Sequence, residues 1–387
     1  MSLSISRKLA FAGKSRIVIA QHSTAQRSTV EHSRRRRRPL SFTCRNISKQ
    51  KVRNVNIEIP SPHSSDIHYW QRGRIGDFIL QSPIVLGHES AGTVTAVGTR
   101  VTNLKPGDRV AIEPGVPCRH CNYCRSGAYN LCPDTVFAAT PPHNGTLSKY
   151  YKTAADYCYV LPAHMSMEDG ALCEPVAVAV QILKVGDVRP GHVVVVFGCG
   201  PIGLLVQQTA KAYAAARVIG VDISRKRLDM ASTVLKCADG VFLAPTPTSN
   251  EPDEQAEWCA RVAQEIKREF DLGEGPDVVI DASGAATSIQ IGVNLCKKGG
   301  RYVQAGMGKE NVTFPITTVC IRDLTIRGSI RYTSGVYPMA VALVASGKVT
   351  PSKLITHRFR FEEAEKAFET VRQGGEDVLK VLIAGVE

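Results

Sequence analysis

Four cysteines, Cys118, Cys121, Cys124 and Cys132, have gaps of two, two and seven residues between them. Thiolates this close can surround one tetrahedral zinc with every position filled, which shuts out water and makes such a site structural. The other eight of the twelve cysteines are scattered, a pattern that fits a reducing compartment with one metal site better than a secreted disulfide scaffold. A second set is looser: His88 and Glu89 are adjacent, and Glu174 follows Cys173 in a separate segment. One imidazole and one or two carboxylates with an open position suit a catalytic zinc. His88 by itself reads as a structural histidine, and only its neighbours lift it to a metal site.

A third constellation runs from Val193 to Asp222. Four valines and Phe197 read as a buried strand. The turn that follows carries Gly198, Gly200 and Gly203, with Pro201 and Ile202 between the last two. Leu204 to Ala216 then reads as a helix, and Arg217 to Val221 as a second strand ending on Asp222. In such a unit the first glycine makes the turn, the second lets a pyrophosphate approach the backbone, and the third lets helix and strand pack closely. The helix N-terminus faces the phosphates with unpaired N–H groups and a positive dipole end. A carboxylate at Asp222 can accept both ribose hydroxyls and repels a 2′-phosphate, which points to NAD over NADP. The basic cluster Arg225, Lys226 and Arg227 blurs that preference, and also reads as the solvated start of a helix.

These residues need a chain large enough to position them. At 387 residues, with 43% hydrophobic and 21% charged side chains, the composition is that of a soluble protein with two domains. No apolar run reaches membrane-spanning length. The net charge of +13 suggests nucleic acid until it is located. Residues 1–57 hold 14 Lys and Arg against Glu31 alone, while the rest of the chain has 34 of each sign. The basicity therefore belongs to an N-terminal appendage, and the arginine run Arg34–Arg38 offers only salt-sensitive, sequence-blind affinity. Residues 1–50 read as a basic, disordered extension. Their Arg- and Ser-rich, acid-poor composition also resembles an organelle transit segment or a nuclear address. The expected location is the cytoplasm, with the mitochondrion as the alternative. Neither a membrane nor a specific nucleic-acid partner is expected.

Further along, Val52 to Ile59 alternates as a strand, broken at Pro60 and Pro62. Val94 to Val110 gives short strands, Met167 to Val185 a helix, and Asp277 to Asp281 another buried strand. Pro245 to Glu257 is polar and reads as an exposed loop. A strand after Arg327, a helix Tyr337 to Ser346 and an amphipathic stretch Phe361 to Arg372 complete the chain. The expected architecture is α/β: a β-rich domain at 51–180 and 325–387, its zinc lobe at 113–134, interrupted by a dinucleotide-binding domain at 181–324.

From Ser65 onward the chain resembles the zinc-dependent medium-chain dehydrogenases, in the polyol branch that includes sorbitol dehydrogenase. The stretches that carry the likeness are SDIHYW (Ser65 to Trp70), RIGDF (Arg74 to Phe78), Gly87 to Glu89, the four-cysteine lobe, VFAATPP (Val136 to Pro142), CEP (Cys173 to Pro175), the glycine turn, and SIRY (Ser329 to Tyr332). The resemblance implies a doubly wound Rossmann sheet inserted in a GroES-like catalytic domain, and a homotetramer. It implies NAD and zinc as cofactors, with His88 and Glu89 as ligands of a catalytic zinc and Glu174 as ligand or water partner. Ser65 and His68 would relay a proton to solvent, and Tyr69, Glu174, Arg331 and Tyr332 would hold a polyol. Ile202, Asp222, Arg227, Ala305, Gly306, Met307, Ser329, Ile330 and Arg331 would line the NAD site. The implied reaction is oxidation of xylitol to D-xylulose, with sorbitol or L-arabinitol as the alternative substrate. Outside this class stands an NAD-binding protein without turnover.

One departure from the family pattern matters. The family carries a cysteine zinc ligand in Gly-x-Cys-Gly-Ser-Asp, reached by a strand of about a dozen residues after a Pro-x-Pro-His turn. Here Pro60-Ser61-Pro62-His63 runs almost directly into Ser65-Asp66. Either His63 replaces the thiolate or the segment is deleted. Deletion accounts for the missing strand, and it predicts an exposed sheet edge and an impaired catalytic site.

Overall fold

A computed structural model describes residues 65–386 in full, together with the backbone of Ser64 and of the strands Ser6–Phe11, Ile17–His22 and Val52–Ser61. The first two strands pair antiparallel with each other. The arginine run, the disorder expected of the extension, and the role considered for His63 lie outside the described residues.

The first sheet has five strands ordered Tyr150–Tyr151, Val52–Ser61, Glu89–Val97, Arg109–Ile112 and Cys158–Val160, antiparallel throughout. Val52–Ser61 pairs with Glu89–Val97 from Val52↔Val97 to Ser61↔Glu89. Two expectations are corrected here. Glu89–Val97 is paired by Val52–Ser61, so the open edge lies on the far side of Val52–Ser61 instead of on Glu89–Val97. Pro60 also does not end its strand. Tyr150–Tyr151 reaches only Val55 and Asn56, so beyond them that side of the strand is open and a missing N–H breaks no ladder bond.

Val193–Phe197 is almost wholly buried, as a strand covered on both faces must be. It lies inside a six-stranded, all-parallel sheet ordered Gly240–Leu243, Arg217–Asp222, Val193–Phe197, Val278–Asp281, Arg301–Gln304 and Thr325–Gly328. The order reverses between Val193–Phe197 and Val278–Asp281, the switch point where open α/β sheets bind ligands. The sheet runs past residue 324, since Thr325–Gly328 is its outermost strand. The expected loop Pro245 to Glu257 gives way at Pro252 to the helix Pro252–Glu269. Proline at the first helical turn costs no hydrogen bond, and Asp253 and Glu254 suit the N-terminal dipole. Trp258, Cys259, Val262, Ala263 and Ile266 form its buried stripe.

The helical stretch Met167 to Val185 is two helices, Met167–Ala171 and Cys173–Val185, the first opened by a capping box at Ser166 and Asp169. The C-terminal segment returns to the first sheet. Phe361, Phe368, Val381 and Ile383 share a core with Ile67, Tyr69, Trp70 and Leu86, which fixes the helix Ser64–Arg72 over the catalytic face.

Candidate active site

The cysteine lobe is held at its neck by the paired strands Gly115–Val116 and Val136–Phe137. Within it Cys121 Sγ lies 3.5 Å and Cys118 Sγ 3.9 Å from Cys124 Sγ. Four thiolates about 2.3 Å from a tetrahedral zinc stand about 3.8 Å apart, and a disulfide would need about 2.05 Å. The N–H groups of Cys118 and Cys121 donate to Cys132 Sγ and Cys118 Sγ, each at 3.3 Å. Burial pushes the Cys124 thiol up to about 12, helped by Cys121. At Cys132 burial is outweighed by N–H groups of Cys118 and Asp134, and the thiol drops to about 7. The lobe fits zinc.

The second cluster is also assembled. Ligand atoms of His88, Glu89 and Glu174 lie within 4.8 Å of one another, all three residues buried. Asp66, wholly buried, accepts the Gly87 N–H at 2.9 Å on Oδ1 and faces His88 Nδ1 at 3.3 Å with Oδ2. That fixes the ring, and a metal would bind through Nε2. Burial disfavours the imidazolium, but Asp66, Glu174 and Glu89 outweigh it and hold the His88 pKa above its usual range. Burial pushes Glu174 the other way from an ordinary carboxyl, upward, with His88 offsetting part of the effect. Glu89 is bound by Lys380, whose Nζ lies 2.7 Å from Oε1 and 2.5 Å from Oε2 with both residues buried. Cys173 offers no replacement thiolate, because its Sγ turns back along its own helix to the Asp169 carbonyl at 3.3 Å. The donors fit a divalent cation held by one nitrogen and two carboxylates.

Beside this cluster the Tyr332 hydroxyl donates to Glu174 Oε1 at 3.3 Å. Arg331 sits at φ 52°, a left-handed conformation that costs a non-glycine residue roughly 1–2 kcal/mol. Its guanidinium stacks on Phe137 at 4.1 Å and faces Phe78 at 5.7 Å, within electrostatic reach of Tyr332, Tyr69 and Glu174. Tyr69 is buried and hydrogen-bonded to Thr140. Ser65, His68 and Tyr69 share one face of Ser64–Arg72 by their spacing, and burial lowers the His68 pKa, with Arg72 adding to it.

The dinucleotide cradle lies at the carboxyl ends of the parallel strands. The helix begins at Pro201, with Gly200 as its N-cap, three residues before the expected start. A Cβ on Gly203 would come within 1.7 Å of the Gly198 carbonyl oxygen, so only glycine packs there. A Cβ on Gly200 would meet nothing within 4 Å, leaving the backbone open to a pyrophosphate. Asp222 Oδ2 accepts the Cys199 N–H at 2.6 Å and Oδ1 the Ser224 N–H at 2.8 Å. Ala305, Gly306 and Met307 follow the strand Arg301–Gln304, and Ser329, Ile330 and Arg331 follow Thr325–Gly328. Arg227 Nε and Ser329 Oγ are buried with no hydrogen-bond partner among the described residues, as groups awaiting a cofactor would be. The residues fit NAD.

Sequence reasoning missed Asp66, Lys380 and Phe137 as parts of the site. Lys380 had a signal: it is the one charge in the apolar run Val378 to Ile383, and a lysine in a buried strand needs a carboxylate partner.

A dinucleotide cradle, joined by the loop carrying Arg331 and Tyr332 to a buried histidine–carboxylate metal cluster, defines a nicotinamide-linked, metal-assisted dehydrogenase. Residues 51–163 match the alcohol dehydrogenase GroES-like domain and residues 201–346 the zinc-binding dehydrogenase domain. D-xylulose reductase A of Aspergillus niger is 48% identical over 361 residues, covering 90% of this chain and 97% of that protein. A probable D-xylulose reductase A of Aspergillus clavatus is 49% identical, covering 86% and 89%. Among solved structures, L-idonate 5-dehydrogenase of Escherichia coli superposes with a TM-score of 0.80 at 26% identity, covering 99% of each chain. The chain belongs to the zinc-dependent alcohol dehydrogenase family.

Proposed function

We propose that this chain oxidises xylitol to D-xylulose with NAD. The observation that carries the reading is the meeting of Glu174, Tyr332 and Arg331 beside the metal cluster at the edge of the dinucleotide cradle, in a chain half identical to D-xylulose reductases. A polyol presents several hydroxyls, and a tyrosine, a guanidinium and a carboxylate can each take one. His88, Glu89 and Glu174 would hold a zinc, which supplies Lewis-acid activation of the reacting hydroxyl when bound. Arg331, Tyr332 and Tyr69 orient the polyol. Ser65 and His68 carry its proton away, and Asp222 holds the ribose so that the nicotinamide faces the reacting carbon. The test is the purified chain with NAD and a panel of xylitol, sorbitol and L-arabinitol, with metal analysis alongside. The highest kcat/KM should be on xylitol, and a clear preference for another polyol would overturn the substrate assignment.

The chain is further read as a cytoplasmic homotetramer. The described cysteines are not paired in disulfides, which suits a reducing compartment. All four residues of the sheet's outermost strand, Thr325–Gly328, are exposed, and Ile316 and Ile321 are exposed on the preceding helix. An open strand edge next to apolar side chains favours association. Sedimentation equilibrium giving a monomer at micromolar concentration would remove that part of the reading.

A further inference from the structure

The loop Ser329 to Ser334 carries Arg331 and Tyr332 and joins the outermost strand Thr325–Gly328 to the helix Val336–Ala345. Its anchors come from two directions. On one side Gln181 Oε1 accepts both the N–H and the hydroxyl of Thr333, at 3.1 and 2.9 Å. Lys184 Nζ adds a bond to the same hydroxyl at 2.9 Å. On the other side stands the cysteine lobe, two hundred residues earlier in the chain. Asn130 Nδ2 donates to the Ile330 carbonyl at 3.1 Å, and the Gly127 carbonyl accepts the Ser334 N–H at 3.3 Å. Asn130 lies in the turn Tyr129–Leu131, directly before Cys132. Its Oδ1 is buried with no partner among the described residues, so the bond to Ile330 is what orients the amide.

We infer that Asn130 is a positioning residue, through which the cysteine lobe holds the left-handed backbone at Arg331 and so presents Arg331 to the polyol and the nicotinamide. Arg331 has φ 52° and its carbonyl neighbour Ile330 is half exposed. A strained residue next to an exposed one persists only where surrounding bonds over-determine it. The flanking anchors, the Ser329 N–H on the Gln304 carbonyl at 3.0 Å, the Tyr332 hydroxyl on Glu174 and Thr333 on Gln181, lie to either side of the Ile330–Arg331 peptide and do not bond the Ile330 carbonyl itself. Asn130 fastens that peptide. The lobe therefore does more than close a metal: it reaches across to the loop that lines both ligand sites. Tyr129 roots the lobe from behind, its hydroxyl donating to the buried Glu113 at 2.5 Å, so the amide at 130 projects from a fixed base.

The inference rests on the polyol dehydrogenase reading for what Arg331 contacts, but its first test does not. Asn130→Asp keeps the shape and replaces the donor by an oxygen facing the Ile330 carbonyl. In the zinc-loaded full chain, hydrogen exchange of the segment 329–334 should accelerate about tenfold, with exchange of the lobe and the melting temperature unchanged. NADH should bind several-fold more weakly, and KM for xylitol should rise more than kcat falls. Asn130→Ala should give the same pattern, more mildly. Exchange at 329–334 identical to the unmodified chain overturns the inference. So does acceleration spread over the whole molecule with a lowered melting temperature, since that marks a structural role only. If the unmodified chain shows no turnover at all, the functional reading fails while the exchange result still decides this one.

Discussion

Asp222 carries two duties with one carboxylate. The backbone N–H groups of Cys199 and Ser224 already hold both oxygens, which aims the remaining lone pairs at the ribose and ties the second strand to the glycine turn. Asp222→Ser should therefore weaken NAD by about tenfold or more, the scale of hydrogen bonds to a charged group, while NADP binding holds or improves; titration of both cofactors measures the ratio. An unmodified chain that binds NADP more tightly than NAD would show that Arg225 and Arg227 dominate. Glu113 is the other residue with a consequence in solution. Burial raises its carboxyl to about 7, although the hydroxyls of Tyr129 and Tyr159 donate to it. Its folded pKa lies above the ordinary 4.5, so the folded state holds the proton more tightly. Its contribution is complete below about 4.5 and is lost as pH rises through about 7, on the order of 3 kcal/mol in all. Urea denaturation from pH 5 to pH 8 should show that decline in the parent and a much flatter curve in Glu113→Gln. The site residues legible in the sequence were those tied by spacing, such as the four cysteines and three glycines. Asp66, Glu113 and Lys380 were not, because what each does is set by a partner brought near by the fold, and for Glu89 and Lys380 the separation is 291 residues.

At the scale of elements, the parallel sheet was legible because buried strands are short apolar runs closed by turn residues. The helix Pro252–Glu269 was not, since proline and acids were read as loop when they were the first turn of a helix. The strand Val52–Ser61 was misread for the opposite reason: a proline was taken as a terminus where only one side of the strand was paired. The cysteine lobe is the element whose stability depends most on something other than packing. The helix Asn122–Arg125 and the turn Tyr129–Leu131 contain no buried residue, so thiolate ligation must supply the order that a core would. Cys124→Ser should lower the melting temperature by about 5 °C or more and abolish one tightly held zinc per chain. Elemental analysis of the parent that finds no zinc in a well-folded protein would refute the assignment.

At the scale of the whole molecule, the domains converge on one metal cluster that lacks the family's thiolate among its described donors. The strand Val52–Ser61 ends with Ser61 opposite Glu89, so the chain leaves the sheet beside the cluster and reaches Ser65 within four residues. There is no length there for the family's cysteine-bearing strand, and the Glu89–Val97 edge beside the cluster is already paired with Val52–Ser61. Lys380 meanwhile pairs with Glu89 from the C-terminal strand, so a cation must compete with an ammonium for one of the three described donors. A zinc held by so few ligands is expected to be weakly bound. The unmodified chain should therefore turn over xylitol slowly, on the order of 100-fold or more below a restored form, judging by what lost ligand support costs in such sites. Inserting a family-like segment ending in Ile-Cys-Gly between His63 and Ser65 should recover the rate and a second equivalent of zinc. An inserted segment that pairs with Glu89–Val97 would displace Val52–Ser61 from that edge, so hydrogen exchange in that strand should change along with activity. Fast, zinc-dependent xylitol oxidation by the unmodified chain, abolished by His63→Ala, would instead make His63 the substitute ligand and the shortened connection a working design.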